Sequence, residues 1–84
     1  MPYRVVVPRR VQKELDRIDK RFKPRILAAL TSLALNPFLG KKLEGEFQGD
    51  RSYEVWPYRI IYRVKQSRLT LLVLKIGHRQ GVYK

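Results

Sequence analysis

The chain has 84 residues, which is enough for one domain spanning residues 1–84 and too few for two. It contains no cysteine, which excludes disulfide bonds and cysteine-ligated metal sites, and no run approaches the ~20 apolar residues needed to cross a bilayer. Nineteen Lys and Arg residues outnumber seven Asp and Glu residues, giving a formal charge of +12.

So basic a surface attracts polyanions over long distances, and the attraction should weaken steeply with salt. The charge alone allows a nucleic acid, an acidic protein or an anionic membrane as the partner. The N-terminus lacks the long apolar run of a signal peptide, so we expect a cytoplasmic protein.

The first half of the chain predicts a strand followed by two helices. Residues 3–7 are aromatic and β-branched, and Pro8 ends this predicted strand. From Arg9, apolar residues recur at spacings of four, three and four, which places one apolar face on a helix: Val11, Leu15, Ile18 and Phe22. Pro24 suits the first turn of a second helix, which Asn36 and Pro37 should end.

The second half predicts a glycine-containing loop over residues 38–50 and then three strands. The strands cover residues 52–56, 58–65 and 69–76, with Pro57 interrupting after the first and residues 66–68 reversing the chain after the second. Because the last run is the most apolar, we expect it inside the sheet. The order predicts an α+β fold, in which a small antiparallel sheet has both helices packed on one face.

Alternation along the strands predicts which side chains lie on the face away from the helices, called here the open face. Leu72, Leu74 and Ile76 should face the helices, and His78 should follow them. The open face should then hold a set of charged residues and one aromatic residue: Glu54, Trp56, Arg59, Lys75 and Arg79. Such a face could bind nucleic acid, because cations bind phosphate and aromatic rings stack on bases. A solvated outer sheet face whose cations protect the sheet edge from pairing would give the same sequence pattern.

Three stretches resemble the RelE/ParE toxin superfamily. Asn36-Pro37 with the segment Gly-Lys-Lys-Leu-Glu-Gly at 40–45 resembles its loop after the second helix, and Tyr-Arg-Ile-Ile-Tyr at 58–62 resembles its most recognisable strand. Gly-His-Arg at 77–79 followed by Val-Tyr-Lys at 82–84 resembles the C-terminal signature of the RelE branch. The resemblance covers nearly the whole chain in the right order.

The resemblance implies a RelE-like fold and a toxin that enters the ribosomal A site and cuts messenger RNA. In such toxins the RNA's 2′-hydroxyl attacks the adjacent phosphate, leaving a 2′,3′-cyclic phosphate and a 5′-hydroxyl. It also implies that no metal or cofactor takes part. The implied partners are the ribosome, messenger RNA and an antitoxin with an acidic segment and a helix, with no membrane contact and DNA reached only through the antitoxin.

By the same resemblance, three residues match catalytic positions. Tyr83 matches the candidate general base, Arg79 matches the residue that stabilises the leaving group, and Arg59 matches the one that holds the scissile phosphate. His78 and Glu54 are further candidates, because each could move a proton. His78 could instead be a structural strand-end residue, and Arg59 could simply pair with Glu54.

The remaining candidates would contact RNA rather than take part in the reaction: Lys41, Lys42, Arg51, Trp56 and Lys75. The two loop lysines could also be ordinary solvated charges, and Trp56 could equally be a core or partner contact. Glu54 and Trp56 stand where the resemblance implies extra basic residues, so we expect either a rearranged catalytic apparatus or a weak toxin.

Two other functions stay open at this point. One is a ParE-type inhibitor that binds DNA gyrase without catalysis on the same fold, and the other is a plain nucleic-acid-binding module. The pair Arg79 and Tyr83 favours the RNA-cleaving toxin, because a gyrase inhibitor has no need of that arrangement.

Overall fold

A computed structural model describes residues 2–81 of the chain. The helices and strands, numbered in chain order, are β1 (Arg4–Val6), α1 (Arg9–Asp16), α2 (Lys23–Leu35), β2 (Lys41–Lys42), β3 (Arg51–Val55), β4 (Tyr58–Lys65) and β5 (Thr70–His78). Two short 3₁₀ turns lie at Gly45–Phe47 and Gln66–Arg68. Among the described residues, no helix is long and apolar enough to span a membrane.

The strands form one five-stranded sheet in the order β1-β5-β4-β3-β2. The predicted α+β architecture is confirmed, because β3, β4 and β5 form an antiparallel meander and β5 lies between two neighbours. Two features were not predicted. The first strand pairs with β5 in parallel, and the two-residue strand β2 adds to the far edge beside β3.

Both helices bury their apolar residues against one face of the sheet. Val11 and Leu15 of α1 are buried as predicted. Ile18 is buried too, but it lies in the turn after the helix, since α1 ends at Asp16. The prediction that Phe22 extends the stripe of the first helix is wrong, since Phe22 precedes the first residue of α2. The predicted limits of the second helix are confirmed: a proline lies in its first turn and Asn36 follows its last residue.

The pairing of β4 with β5 contains a one-residue irregularity that reverses the predicted alternation. Ile61 pairs with Lys75, but the next residue, Tyr62, pairs with Val73, so Leu74 is an extra residue in β5. Leu71 and Val73 are consequently buried in the core together with Ile76. The prediction that Leu72 faces the helices is therefore wrong, because it pairs with Arg63 on the open face.

The hydroxyl of Tyr62 ties the loop after α2 to the centre of the sheet. It donates a hydrogen bond to the carbonyl of Pro37 (2.7 Å) and accepts one from the amide of Gly40 (2.9 Å). A Cβ at Gly40 would collide with that tyrosine and would lie 2.9 Å from the Ser52 carbonyl, so only glycine fits there. Burial raises the pKa of Tyr62, which keeps the phenol protonated and able to donate.

Replacement Tyr62→Phe should lower the free energy of unfolding by about 1–3 kcal/mol, because two backbone groups lose a buried partner. Urea denaturation of wild type and variant measures this difference. Tyr3→Phe, which changes a half-buried tyrosine outside this contact, is the matched control and should have a smaller effect. Equal effects of the two substitutions would contradict the role given to the Tyr62 hydroxyl.

Candidate functional site

Two arginines and a glutamate meet on the open face at the end of the meander. Glu54 of β3 pairs directly with Arg59 of β4, and Arg79 follows the last residue of β5. The Glu54 carboxylate lies 3.9 Å from Arg59 Nη2 through one oxygen and 3.9 Å from Arg79 Nε through the other. The carboxylate thus occupies a position between two guanidinium groups that a phosphate could also occupy.

Trp56 adds an aromatic surface to this cluster. It belongs to the turn between β3 and β4 rather than to the predicted strand, and 56% of its surface is exposed. The guanidinium carbon of Arg79 lies 4.5 Å from the centre of its ring, a cation–π contact. A ring so exposed beside two arginines can stack on a nucleobase while the arginines bind the backbone.

The floor of the open face beside the cluster is apolar, which the alternation of side chains along the strands did not predict. Ile61 is only 1% exposed although it alternates with Arg59 and Arg63. It lies between Ser52 of β3, which is also buried, and Lys75 of β5. The isoleucine between two arginines was the signal for this floor in the sequence.

A shallow groove of about 480 Å³ runs from the cluster toward β2. Lys41, Glu54 and Arg59 line it together with apolar residues of the loop. Lys41 pairs with Ser52, so its register position is on the open face, as is that of Lys75 opposite Ile61. The structure therefore brings six of the predicted residues together on or beside one face: Glu54, Trp56, Arg59, Arg79, Lys41 and Lys75.

Arg51 and Lys42 do not join this face. Lys42 pairs with Arg51, and Arg51 pairs with the core residue Tyr62, which places both on the helix side. Arg51 donates hydrogen bonds to the carbonyl oxygens of Gly40 (2.8 Å) and Phe38 (3.4 Å), and its guanidinium carbon lies 5.1 Å from the Phe38 ring centre. Arg51 therefore holds the loop in place, and its predicted contact with RNA, like that of Lys42, stays a prediction.

His78 lies on the helix side of the sheet, as the alternation predicts, but it is exposed rather than part of the core. Its ring packs edge-on against Tyr58 with 6.1 Å between ring centres, and its Nδ1 accepts a hydrogen bond from the Gln80 amide (3.3 Å). Its partner in β4 is Tyr58 rather than Arg59, so the histidine faces away from the arginine cluster.

Tyr83 lies outside the described residues, and its predicted role as a general base stays a prediction. The chain leaves β5 with the Arg79 amide donating a hydrogen bond to the carbonyl of Pro57 (2.9 Å). Within residues 2–81, no group of three or more His, Cys, Asp or Glu side chains is arranged to hold a metal ion.

Comparisons with known proteins span nearly the whole chain. A sequence model of the ParE toxin of type II toxin-antitoxin systems, parDE, matches residues 5–83. Toxin RelG of Mycobacterium tuberculosis is 30% identical over 90 residues, a match that covers 100% of this chain and 99% of the relative.

Two solved structures share the fold closely. A chain of the toxin-antitoxin complex RelBE2 from Mycobacterium tuberculosis superposes with a TM-score of 0.86 at 27% identity, covering 94% of this chain and 100% of that chain. A chain of the archaeal RelE-RelB complex from Pyrococcus horikoshii OT3 has a TM-score of 0.82 at 28% identity, covering 98% and 100% respectively.

Replacement Glu54→Gln should tighten the binding of a single-stranded RNA oligonucleotide at low salt, because it removes a negative charge beside the phosphate position. A unit charge about 4 Å away is worth about 1 kcal/mol in water, or roughly fivefold in the dissociation constant. Fluorescence anisotropy measures the change. Glu46→Gln, which removes an exposed charge from the 3₁₀ turn, is the control, and equal tightening by both would contradict this placement.

Proposed function

The chain belongs to the ParE toxin family of type II toxin-antitoxin systems, within the RelE/ParE superfamily, and from this premise we propose that it is a RelE-type endoribonuclease. It would cut messenger RNA in the A site of the ribosome and so inhibit translation. The observation that carries the proposal is the cluster of Arg59, Arg79 and Trp56 around Glu54 on the open face.

In the proposed reaction, the 2′-oxygen of the RNA forms a bond to the adjacent phosphorus while the bond from phosphorus to the 5′-oxygen breaks. Arg59 binds the non-bridging oxygens of this phosphate with its planar guanidinium group. Arg79 stabilises the negative charge that develops on the departing 5′-oxygen, because arginine rarely gives up a proton. The products are a 2′,3′-cyclic phosphate and a 5′-hydroxyl, with no metal or cofactor taking part.

Two protons must move in this reaction. The proposed base, Tyr83, takes the proton of the 2′-hydroxyl, and the 5′-oxygen takes one from solvent. Trp56 would stack on a base beside the cut and orient it, and Lys41 and Lys75 would bind neighbouring phosphates. Glu54 offsets the repulsion between the two arginines in the free protein, and its carboxylate must move away when the phosphate enters.

We further propose that a cognate antitoxin binds this toxin, because the two similar structures are complexes, one the toxin-antitoxin complex RelBE2 and the other RelE with RelB. An acidic antitoxin segment complements the cations of the open face. An apolar antitoxin helix suits the exposed leucines of α2, of which Leu35 is 71% exposed and Leu27 is 49% exposed. DNA would be reached only through the antitoxin.

A second function, inhibition of DNA gyrase by binding, is favoured by the family model itself, which describes ParE toxins. The two functions make different demands on the open face. Cleavage requires Arg59, Arg79 and Tyr83 together, whereas binding to gyrase does not require a base.

Replacements Arg59→Ala and Arg79→Ala should each lower the rate of cleavage on programmed ribosomes by about 100-fold, because each removes a donor that stabilises charge in the transition state. Tyr83→Phe should abolish cleavage while the protein stays folded. Arg68→Ala, which removes an exposed cation from the turn between β4 and β5, is the matched control for charge.

Primer extension on the ribosome-bound message measures these rates, and circular dichroism checks the fold. If both arginine variants cleave as fast as Arg68→Ala, the site is assigned wrongly. If Tyr83→Phe cleaves at the wild-type rate, another residue is the base, and Glu54→Gln is the next variant to assay.

A further inference from the structure

Beyond Leu72, strand β5 has a strand neighbour on only one side among residues 2–81. The strand β1 pairs with Thr70–Leu72 and then ends, whereas β4 continues along β5 as far as His78. The outer edge of β5 from Val73 onward therefore presents backbone groups that need partners. This stretch of β5 leads directly to Arg79, so the contacts that fix its outer edge also affect where the Arg79 side chain lies.

Two side chains of α1 bind this edge. The guanidinium of Arg10 donates a hydrogen bond to the carbonyl of Leu74 (3.1 Å), and the carboxylate of Glu14 accepts one from the amide of Ile76 (3.1 Å). Arg10 and Glu14 are four residues apart and therefore share one face of the helix. Their two contacts lie on either side of Lys75.

Together these two side chains replace one residue of a missing parallel strand. In a parallel ladder, a residue donates to the carbonyl before its partner and accepts from the amide after it. Arg10 supplies the donor and Glu14 supplies the acceptor in those positions relative to Lys75. The strand β1 is parallel to β5 and binds the first part of this edge with its backbone. The helix α1 binds the next part of the same edge with two side chains.

The contact coincides with the irregularity in β5. Leu74 is the extra residue, and its carbonyl is the group that Arg10 binds. The extra residue puts Lys75 opposite Ile61 and Gly77 opposite Arg59, on the open face. Without it, the strand after Val73 would alternate the other way, and Arg79 would turn away from Glu54.

We propose that Arg10 and Glu14 are positioning residues that hold the irregularity at Leu74 and so aim Arg79 at the reacting phosphate. The inference rests on the proposed function for its effect on cleavage, but its effect on Arg79 does not depend on that function. Neither residue lies in the cluster itself. Each acts through the backbone of β5.

The central comparison is between Glu14→Ala, which removes the acceptor, and Glu14→Gln, which keeps an amide oxygen there. Asp16→Ala is the matched control, because Asp16 is an exposed acid of the same helix that accepts a hydrogen bond from Gln12 and does not bind β5. Single-turnover cleavage on programmed ribosomes gives the rate constant at saturation and the half-saturating toxin concentration. Amide exchange at Ile76 and the Nε–H resonance of Arg79 are followed by NMR.

We expect Glu14→Ala to lower the rate constant about tenfold or more, because small displacements of a catalytic group are costly, while half-saturation changes by less than about twofold. Glu14→Gln should restore most of the rate. Exchange at Ile76 should accelerate and the Arg79 resonance should shift in Glu14→Ala, but not in Asp16→Ala. Arg10→Ala, which changes an exposed side chain, should reproduce the loss of rate.

The proposal is overturned if Glu14→Ala and Arg10→Ala, both folded, leave the Arg79 resonance and the cleavage rate as in Asp16→Ala. Faster exchange at Ile76 with no change at Arg79 would also overturn it, since the contact would then stabilise the edge alone. If the wild-type protein does not cleave, the proposed function fails, and the Arg79 resonance alone decides whether the side chain is positioned as inferred.

Discussion

The pairing of β4 with β5 is the constraint on which the rest of the structure depends. This pairing buries Ile60 and Tyr62 with the helices and supplies the shared centre of the sheet. Its one extra residue, Leu74, changes the alternation between the core half of β5 and the half that approaches the site. One strand can thereby bury Leu71 and Val73 and still deliver Arg79 to the opposite face.

The cluster is assembled from three separate contributions to that pairing. The strand β3 places Glu54 beside Arg59, the turn places Trp56, and the end of β5 places Arg79 against both. Cations that lie so close together repel each other, and the carboxylate of Glu54 between them offsets that repulsion in the free protein. In the proposed function a phosphate takes the place of the carboxylate, so the same cluster would be stable in the free protein and would bind RNA once Glu54 moves away.

The loop after α2 connects the buried core to the candidate site on the open face. Tyr62 is buried beneath the helices, yet its hydroxyl binds Pro37 and Gly40 and so fixes the chain just before Lys41. Arg51 binds the same loop from the helix side. A lysine on a two-residue edge strand would otherwise be poorly placed, and these contacts give it a defined position at the groove.

Much of this fold could be predicted from spacing and propensity. The second helix, the three strands of the meander and the pairing of Glu54 with Arg59 follow from apolar periodicity and alternation, because these reflect which side chains must be buried. The irregularity at Leu74 could not be predicted, because the run Leu71 to Leu74 is apolar throughout and alternation carries no information there. The role of Arg51 and the strand β2 depend on contacts distant in sequence, which local patterns do not report.

We propose that the open face of the sheet cuts RNA on the ribosome. Its most direct test is to incubate the purified toxin with a defined messenger RNA, with and without programmed ribosomes, and to map the position and chemistry of the new ends. We expect cuts within the A-site codon, only when ribosomes are present, that leave a 2′,3′-cyclic phosphate and a 5′-hydroxyl. Intact message beside folded, growth-inhibiting toxin would contradict it, and inhibition of DNA supercoiling by that preparation would assign the chain to the gyrase-binding alternative.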